Sequence, residues 1–176
     1  METISFDKLL LNTAFCCMAS DGNIDIREIK LIKSLCEKSK LLQMDNFEEE
    51  INSLVGQINT RGKEFITHYF QLLDSSNLTE NDELTLIDFA IQTIKADDQI
   101  EYSEIKFFKN IRNRLKVSNA RIMNEFPNID MFLEDDLVND SFIDKITNQY
   151  LDAAILPQFN LISIEAILTD ESKNDN

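Results

Sequence analysis

Residues 14–36, AFCCMASDGNIDIREIKLIKSLC, and residues 90–112, AIQTIKADDQIEYSEIKFFKNIR, carry one pattern twice. At an offset of 76 positions, Ala14, Asp21, Ile24, Glu28, Ile29, Lys30 and Lys33 meet Ala90, Asp97, Ile100, Glu104, Ile105, Lys106 and Lys109, seven identities in 23 positions. Leu10 and Leu11 ahead of the first stretch correspond to Leu86 and Ile87. Self-similarity of this kind marks a repeated supersecondary unit. Each unit reads as helix, tight acidic turn, helix. The leading helices, about 4–19 and 81–95, are apolar around most of their circumference. A helix without a polar face is buried, so these two are expected at the centre. The following helices carry one apolar stripe each: Ile29, Ile32, Leu35 and Cys36 in the first, and Ile105, Phe108, Ile111 and Leu115 in the second. Lysines and arginines occupy their opposite faces.

Between the units the spacing predicts two more helices. One starts at Asp45, whose Asp-Asn-Phe-Glu run reads as a capping box, and presents Phe47, Ile51, Leu54, Val55 and Ile58 on one side. Its acidic run Glu48-Glu49-Glu50 falls where the helix dipole favours negative charge. The other, about 62–74, presents Phe65, Ile66, Tyr69, Phe70 and Leu73. After residue 117 the pattern loosens. Pro127 and Pro157 bracket two shorter helices built on Ile129, Phe132, Leu133, Leu137 and Val138, then Phe142, Ile143, Ile146, Tyr150 and Leu151. Residues 158–164 fit either a helix or an extended strand, and 169–176 read as a disordered polar tail. The expected organisation is therefore an all-α domain over 1–118, with repeats at 4–40 and 80–116, and a helical extension over 119–168.

Composition agrees with the helical reading. Gly and Pro number only 3 and 2 among 176 residues, against roughly 12% together in average usage. A sheet protein with turns every few residues cannot be built from that, nor can a glycine-rich phosphate loop. Hydrophobic residues reach 43%, enough for one large core. The net charge is −15, and residues 117–176 hold 3 bases against 12 acids. Such a surface repels phosphate backbones and anionic lipid, so nucleic acid and direct membrane insertion are not expected. A protein partner with a basic or apolar surface is. No stretch approaches the ~18 apolar residues of a membrane span, and Met1-Glu2-Thr3-Ile4 shows no leader pattern. The three cysteines include no Cys-x-x-Cys pair, and with the single His68 they form no zinc quartet. Reduced thiols in a cytoplasmic protein are the expectation.

The two acidic turns are Asp21-Gly22-Asn23-Ile24-Asp25-Ile26-Arg27-Glu28 and Asp97-Asp98-Gln99-Ile100-Glu101-Tyr102-Ser103-Glu104. Both admit a structural reading. Gly22 can adopt the left-handed conformation that ends a helix, and Asp25 with Glu28 three residues on forms a capping box for the next. They also admit a functional one. Asp21, Asp25 and Glu28 supply three carboxylates, as do Asp97, Glu101 and Glu104 with Asp98 added. Calcium or another divalent cation takes oxygen ligands of this kind, with main-chain carbonyls or water completing the shell. An EF-hand is excluded, because its loop is longer and places glycine at the sixth position.

The pattern Ala-x-x-x-Met-Ala-Ser-Asp-Gly-x-Ile-Asp-x-x-Glu, echoed as Ala-x-x-x-Ile-Lys-Ala-Asp-Asp-x-Ile-Glu-x-x-Glu, resembles the tellurite-resistance TerB-like family over about residues 4–118. The resemblance implies one all-helical domain with a duplicated unit. It implies an acidic, cytoplasmic, non-enzymatic protein of tellurite and other stress responses, with divalent cations on its acidic loops and a place in multiprotein assemblies at the membrane. A related domain fronts a membrane-anchored DnaJ-type co-chaperone. The family's acids carry over onto Asp21, Asp25, Glu28, Asp97, Glu101 and Glu104. Asp98 departs from the family's usual glycine, and 119–176 fall outside the resemblance.

Catalysis is not expected. The lone His68 sits beside Tyr69 and Phe70 on a helix, and nothing in the sequence joins it to Cys16 or Cys36. Two functions follow: a divalent-cation-binding stress-response module acting through the turns, or an interaction module acting through the acidic C-terminal segment. In the second, Phe159, Leu161 and Ile162 are the expected contacts and the turns are purely structural.

Overall fold

A computed structural model describes residues 4–39, 46–96, 100–133 and 157–163. The expected contributions of Asp45, Asp97, Asp98, the apolar clusters from Leu137 to Leu151 and the polar tail lie outside the described residues. Those described form eight α-helices and no strand, so the chain is all-α.

Helix α1 (Phe6–Met18) begins at the Ser5 cap and runs into a 3-10 turn over Ala19–Asp21. Gly22, at φ 88°, ends it in the left-handed conformation, its N–H donating to the Ala19 carbonyl at 3.2 Å. Helix α2 (Ile26–Ser39) follows. Helices α3 (Phe47–Arg61) and α4 (Lys63–Ser75) are joined by Gly62 alone, which bends the chain at φ 54°. Helix α5 (Glu80–Ile94) starts at a Thr79–Asp82 capping box. Helix α6 (Tyr102–Arg112), α7 (Asn119–Glu125) and the single turn α8 (Asp130–Leu133) complete the order.

The all-round apolar helices do lie at the centre. α1 packs most extensively on α5, and from Leu9 to Ala19 its only partly exposed side chain is Asn12. α2 rests mainly on α5, whereas α6 lies against α1 and the 3-10 turn that follows it. The α3–α4 hairpin closes α1 from another side. Every apolar residue expected on α3 and α4 is buried. On α6, Phe108 and Ile111 are buried as the stripe requires, but Ile105 is only half-buried. Phe107, outside that stripe, is fully buried. It stacks on Tyr69 at 6.1 Å and Phe70 at 5.4 Å between ring centroids, while Phe108 meets Phe132 of α8 at 5.3 Å on the adjacent face. A helix covered on two sides needs a wider apolar face than one stripe provides.

Beyond α6, α7 is a helix that the loosened pattern concealed, although its Ser118 cap accepts from Arg121 N at 3.2 Å. Val117, Ile122, Ile129, Phe132 and Phe159 join the same core as α1 and α5. Helix α3 begins at Phe47, and its Asn46 cap makes no side-chain hydrogen bond. Residues 157–163 are neither helix nor strand. They lie along α3, and Pro157 packs on the Gly22 turn, 3.5 Å from where a Cβ on that glycine would stand.

Candidate functional site: the acidic turns and the α3 face

In the first turn the described carboxylates each hold a main-chain N–H. Asp21 Oδ1 accepts from Asn23 N at 2.8 Å. Asp25 caps α2, accepting from Arg27 N at 2.7 Å. Its two oxygens also receive the Arg27 guanidinium, Nε at 3.0 Å and Nη2 at 2.9 Å. That side-chain hydrogen bonding holds the Asp25 carboxyl below its ordinary value, against the smaller opposing effect of burial. Glu28 is buried, and its Oε2 accepts from Asp25 N at 2.9 Å, the return half of a capping box. Ile24 packs against the core and anchors the turn.

The second turn repeats part of this. Glu104 is buried, and its Oε2 accepts from Glu101 N at 2.7 Å. Ile100 packs against the core as Ile24 does. Glu101 is exposed. Asp97 and Asp98 lie outside the described residues. Among the described residues no three His, Cys, Asp or Glu side chains come close enough together to hold a metal ion. The fold does bring the two units' buried acids towards one place. Both Glu104 and Glu28 act on the Cys17 thiol, adding to the larger effect of burial that pushes it up.

The cysteines are buried and unpaired with one another. Burial pushes the Cys16 thiol far up and the Cys36 thiol to about 11. A thiol held protonated in this way is not a nucleophile at neutral pH. His68 lines a shallow cleft of about 300 Å³ between α1, α3 and α4, beside the Lys8–Glu50 ion pair at 3.0 Å.

The feature that sequence reading did not find lies on α3. Asn52 donates through Nδ2 to the Ile162 carbonyl at 2.8 Å and accepts through Oδ1 from Ile162 N at 2.7 Å. Asn59 does the same with Phe159, both bonds at 2.8 Å. Each amide thus engages both main-chain groups of one residue. Gln158 Nε2 adds a bond to the Asn59 carbonyl at 3.2 Å. Phe159 is buried and Ile162 half-buried, whereas Leu161 is 72% exposed. Of the three expected contact residues, then, one projects outward. Two asparagines seven apart beside an apolar stripe were the available signal, but nothing in the sequence names their partner.

Comparison with protein-family models, with curated proteins and with solved structures found no match for this chain.

Proposed function

We propose that the chain is a non-enzymatic, TerB-like interaction module whose acidic turns are structural and whose acidic C-terminal part engages a protein partner. The observation that carries this reading is the engagement of the turn carboxylates. Asp25 already holds a cation, the Arg27 guanidinium, on both oxygens, and Glu28 and Glu104 hold the main chain at the starts of α2 and α6. Using these groups as metal ligands would compete with the caps that restart both helices. The family resemblance supports the adaptor character. Among the described residues, three of the four exposed large apolar side chains, Met123, Met131 and Leu161, follow residue 117, in the part that also carries 12 acids against 3 bases. Exposed apolar side chains in an acid-rich part of the sequence suit a partner surface with an apolar centre and a basic rim. Three unpaired buried thiols suit a reducing compartment, and the cytoplasm is proposed.

Photo-methionine incorporation tests the reading. Cross-links from Met123 and Met131 to a partner, with none from the buried Met18, are the expected result. Cross-links that avoid both exposed methionines while forming elsewhere on the chain contradict it.

A further inference from the structure

The cleft of about 300 Å³ between α1, α3 and α4 is lined by two kinds of chemistry. Leu11 of α1, Leu54 of α3 and Phe65, Tyr69 and Leu72 of α4 are buried and give it an apolar inner wall. Core contacts hold that wall in place without a ligand. Phe65 meets Phe15 edge-on at 5.9 Å between ring centroids, and the Tyr69 hydroxyl is hydrogen-bonded to Thr13 Oγ1 at 2.9 Å. A preformed concavity of this size stands at the small end of the range, about 300–1,000 Å³, in which small molecules are held.

Polar groups from α1 and α3 converge on the same space. Asn12, the one half-buried side chain between Leu9 and Ala19, lines the cleft, and among the described residues its amide has no hydrogen-bond partner. Gln57 donates through Nε2 to Ser53 Oγ at 3.3 Å, which leaves its amide oxygen as an acceptor. At the rim Lys8 Nζ and Glu50 Oε1 stand 3.0 Å apart, with 54% and 31% of their side chains exposed. That contact uses one of three donors on the ammonium and one of several acceptor positions on the carboxylate. The pair therefore accommodates a further anion at Lys8 and a further cation at Glu50 without parting. Charge then selects the ligand. At a net charge of −15 the protein repels an anion as it approaches, and a simple cation meets Lys8 beside the carboxylate. A molecule with a carboxylate and an ammonium on one carbon is neutral as a whole and complements both ends of the pair. A free amino acid is such a molecule, whereas a residue inside a peptide carries neither charge.

We infer that the cleft between α1, α3 and α4 binds a free apolar α-amino acid. Its carboxylate lies at Lys8 and the Asn12 amide, its ammonium at Glu50 and the Gln57 amide oxygen, and its side chain against the apolar wall. The site shares no residue with the exposed surface of α7 and α8, and each stands or falls apart from the other.

The probes are L-leucine and L-phenylalanine, titrated into the full chain and followed by the chemical shifts of its amide groups. Saturable shifts of the Asn12 and Gln57 side-chain amides are expected with at least one of them, half-complete below about 10 mM, as a ligand of roughly a dozen atoms allows. Phenylpropionate, which lacks the ammonium, and phenethylamine, which lacks the carboxylate, are each expected to bind at least threefold more weakly than L-phenylalanine or, if only L-leucine binds, not at all. Lys8→Met and Glu50→Gln change exposed rim residues and leave the core intact. Each is expected to weaken binding at least threefold. No saturable shift with either amino acid up to about 10 mM overturns the inference. Saturable shifts confined to α7 and α8 overturn it too. Equal binding of phenylpropionate and L-phenylalanine, or unchanged affinity in both rim variants, overturns the zwitterion as the ligand.

Discussion

The buried carboxylate of Glu83 accepts a hydrogen bond from the main-chain N–H of Val117 at 2.6 Å. The same oxygen accepts from Lys116 N at 2.9 Å, so one side chain from the first turns of α5 holds the chain where it leaves α6 for α7. A charged acceptor shared by two N–H groups fixes that crossing. Glu83→Ala is expected to destabilise the fold by about 2–3 kcal/mol, because it leaves the buried Val117 N–H and the part-buried Lys116 N–H without this acceptor. Glu83→Gln, which keeps an acceptor oxygen, is expected to lose about half as much. Urea denaturation of the two variants checks this. Equal losses would mean that the charge contributes nothing, and no loss would mean that the crossing is held by packing alone.

The thiols give a prediction at alkaline pH. In the folded chain burial raises Cys36 from its ordinary 9.0 to about 11, and raises Cys16 and Cys17 further. A raised value means that the unfolded chain releases its protons first. The stability these groups contribute is complete below pH 9 and is lost as the pH climbs, through about 11 for Cys36. Melting temperature is expected to fall across that window, and to fall less steeply in Cys36→Ala. A thiol reagent at neutral pH is expected to modify none of the three cysteines in the folded chain and all of them after denaturation. Rapid native labelling of any one would contradict its burial.

At acid pH the sign reverses. Arg27 holds Asp25 below its ordinary 3.8, so the pair's contribution is present above that value and is lost as the pH drops through the folded one. The pair is partly exposed, with side-chain accessibilities of 52% and 25%. Arg27→Ala is therefore expected to cost at most about 1 kcal/mol near neutrality. It should also flatten the melting-temperature profile below pH 4. A variant profile parallel to that of the unaltered chain would show that Asp25 serves only as a cap.

Much of the fold was legible in the sequence because its causes are local. Periodicity located α1 to α6, and Gly22 and the Asp25–Glu28 spacing located the first turn with its caps. What escaped depended on tertiary neighbours. Phe107 stands outside the single stripe read for α6, and it is buried because Tyr69 and Phe70 of α4 cover α6 on a second side. Helix α7 has a good Ser118 cap but only Ile122 fully buried, too little periodicity to reveal a helix. The stretch 158–164 fitted helix and strand alike in sequence because its described part, 158–163, is held by Asn52 and Asn59, about a hundred residues earlier in the chain. The sequence shows the carboxylates of the turns, but it does not say what faces each of them. For Asp25 it is Arg27, and for Glu28 and Glu104 it is the main chain.

The central claim is that these turns restart helices, and the most direct measurement of it is calorimetric. Chelator-treated full-length protein is titrated with calcium, with magnesium and zinc as controls, alongside Asp21→Asn and Asp97→Asn. The account predicts no saturable heat up to about 1 mM calcium, the weak end of the range in which natural calcium sites operate. Saturable binding that the two substitutions weaken would contradict it and make the chain a cation-responsive module.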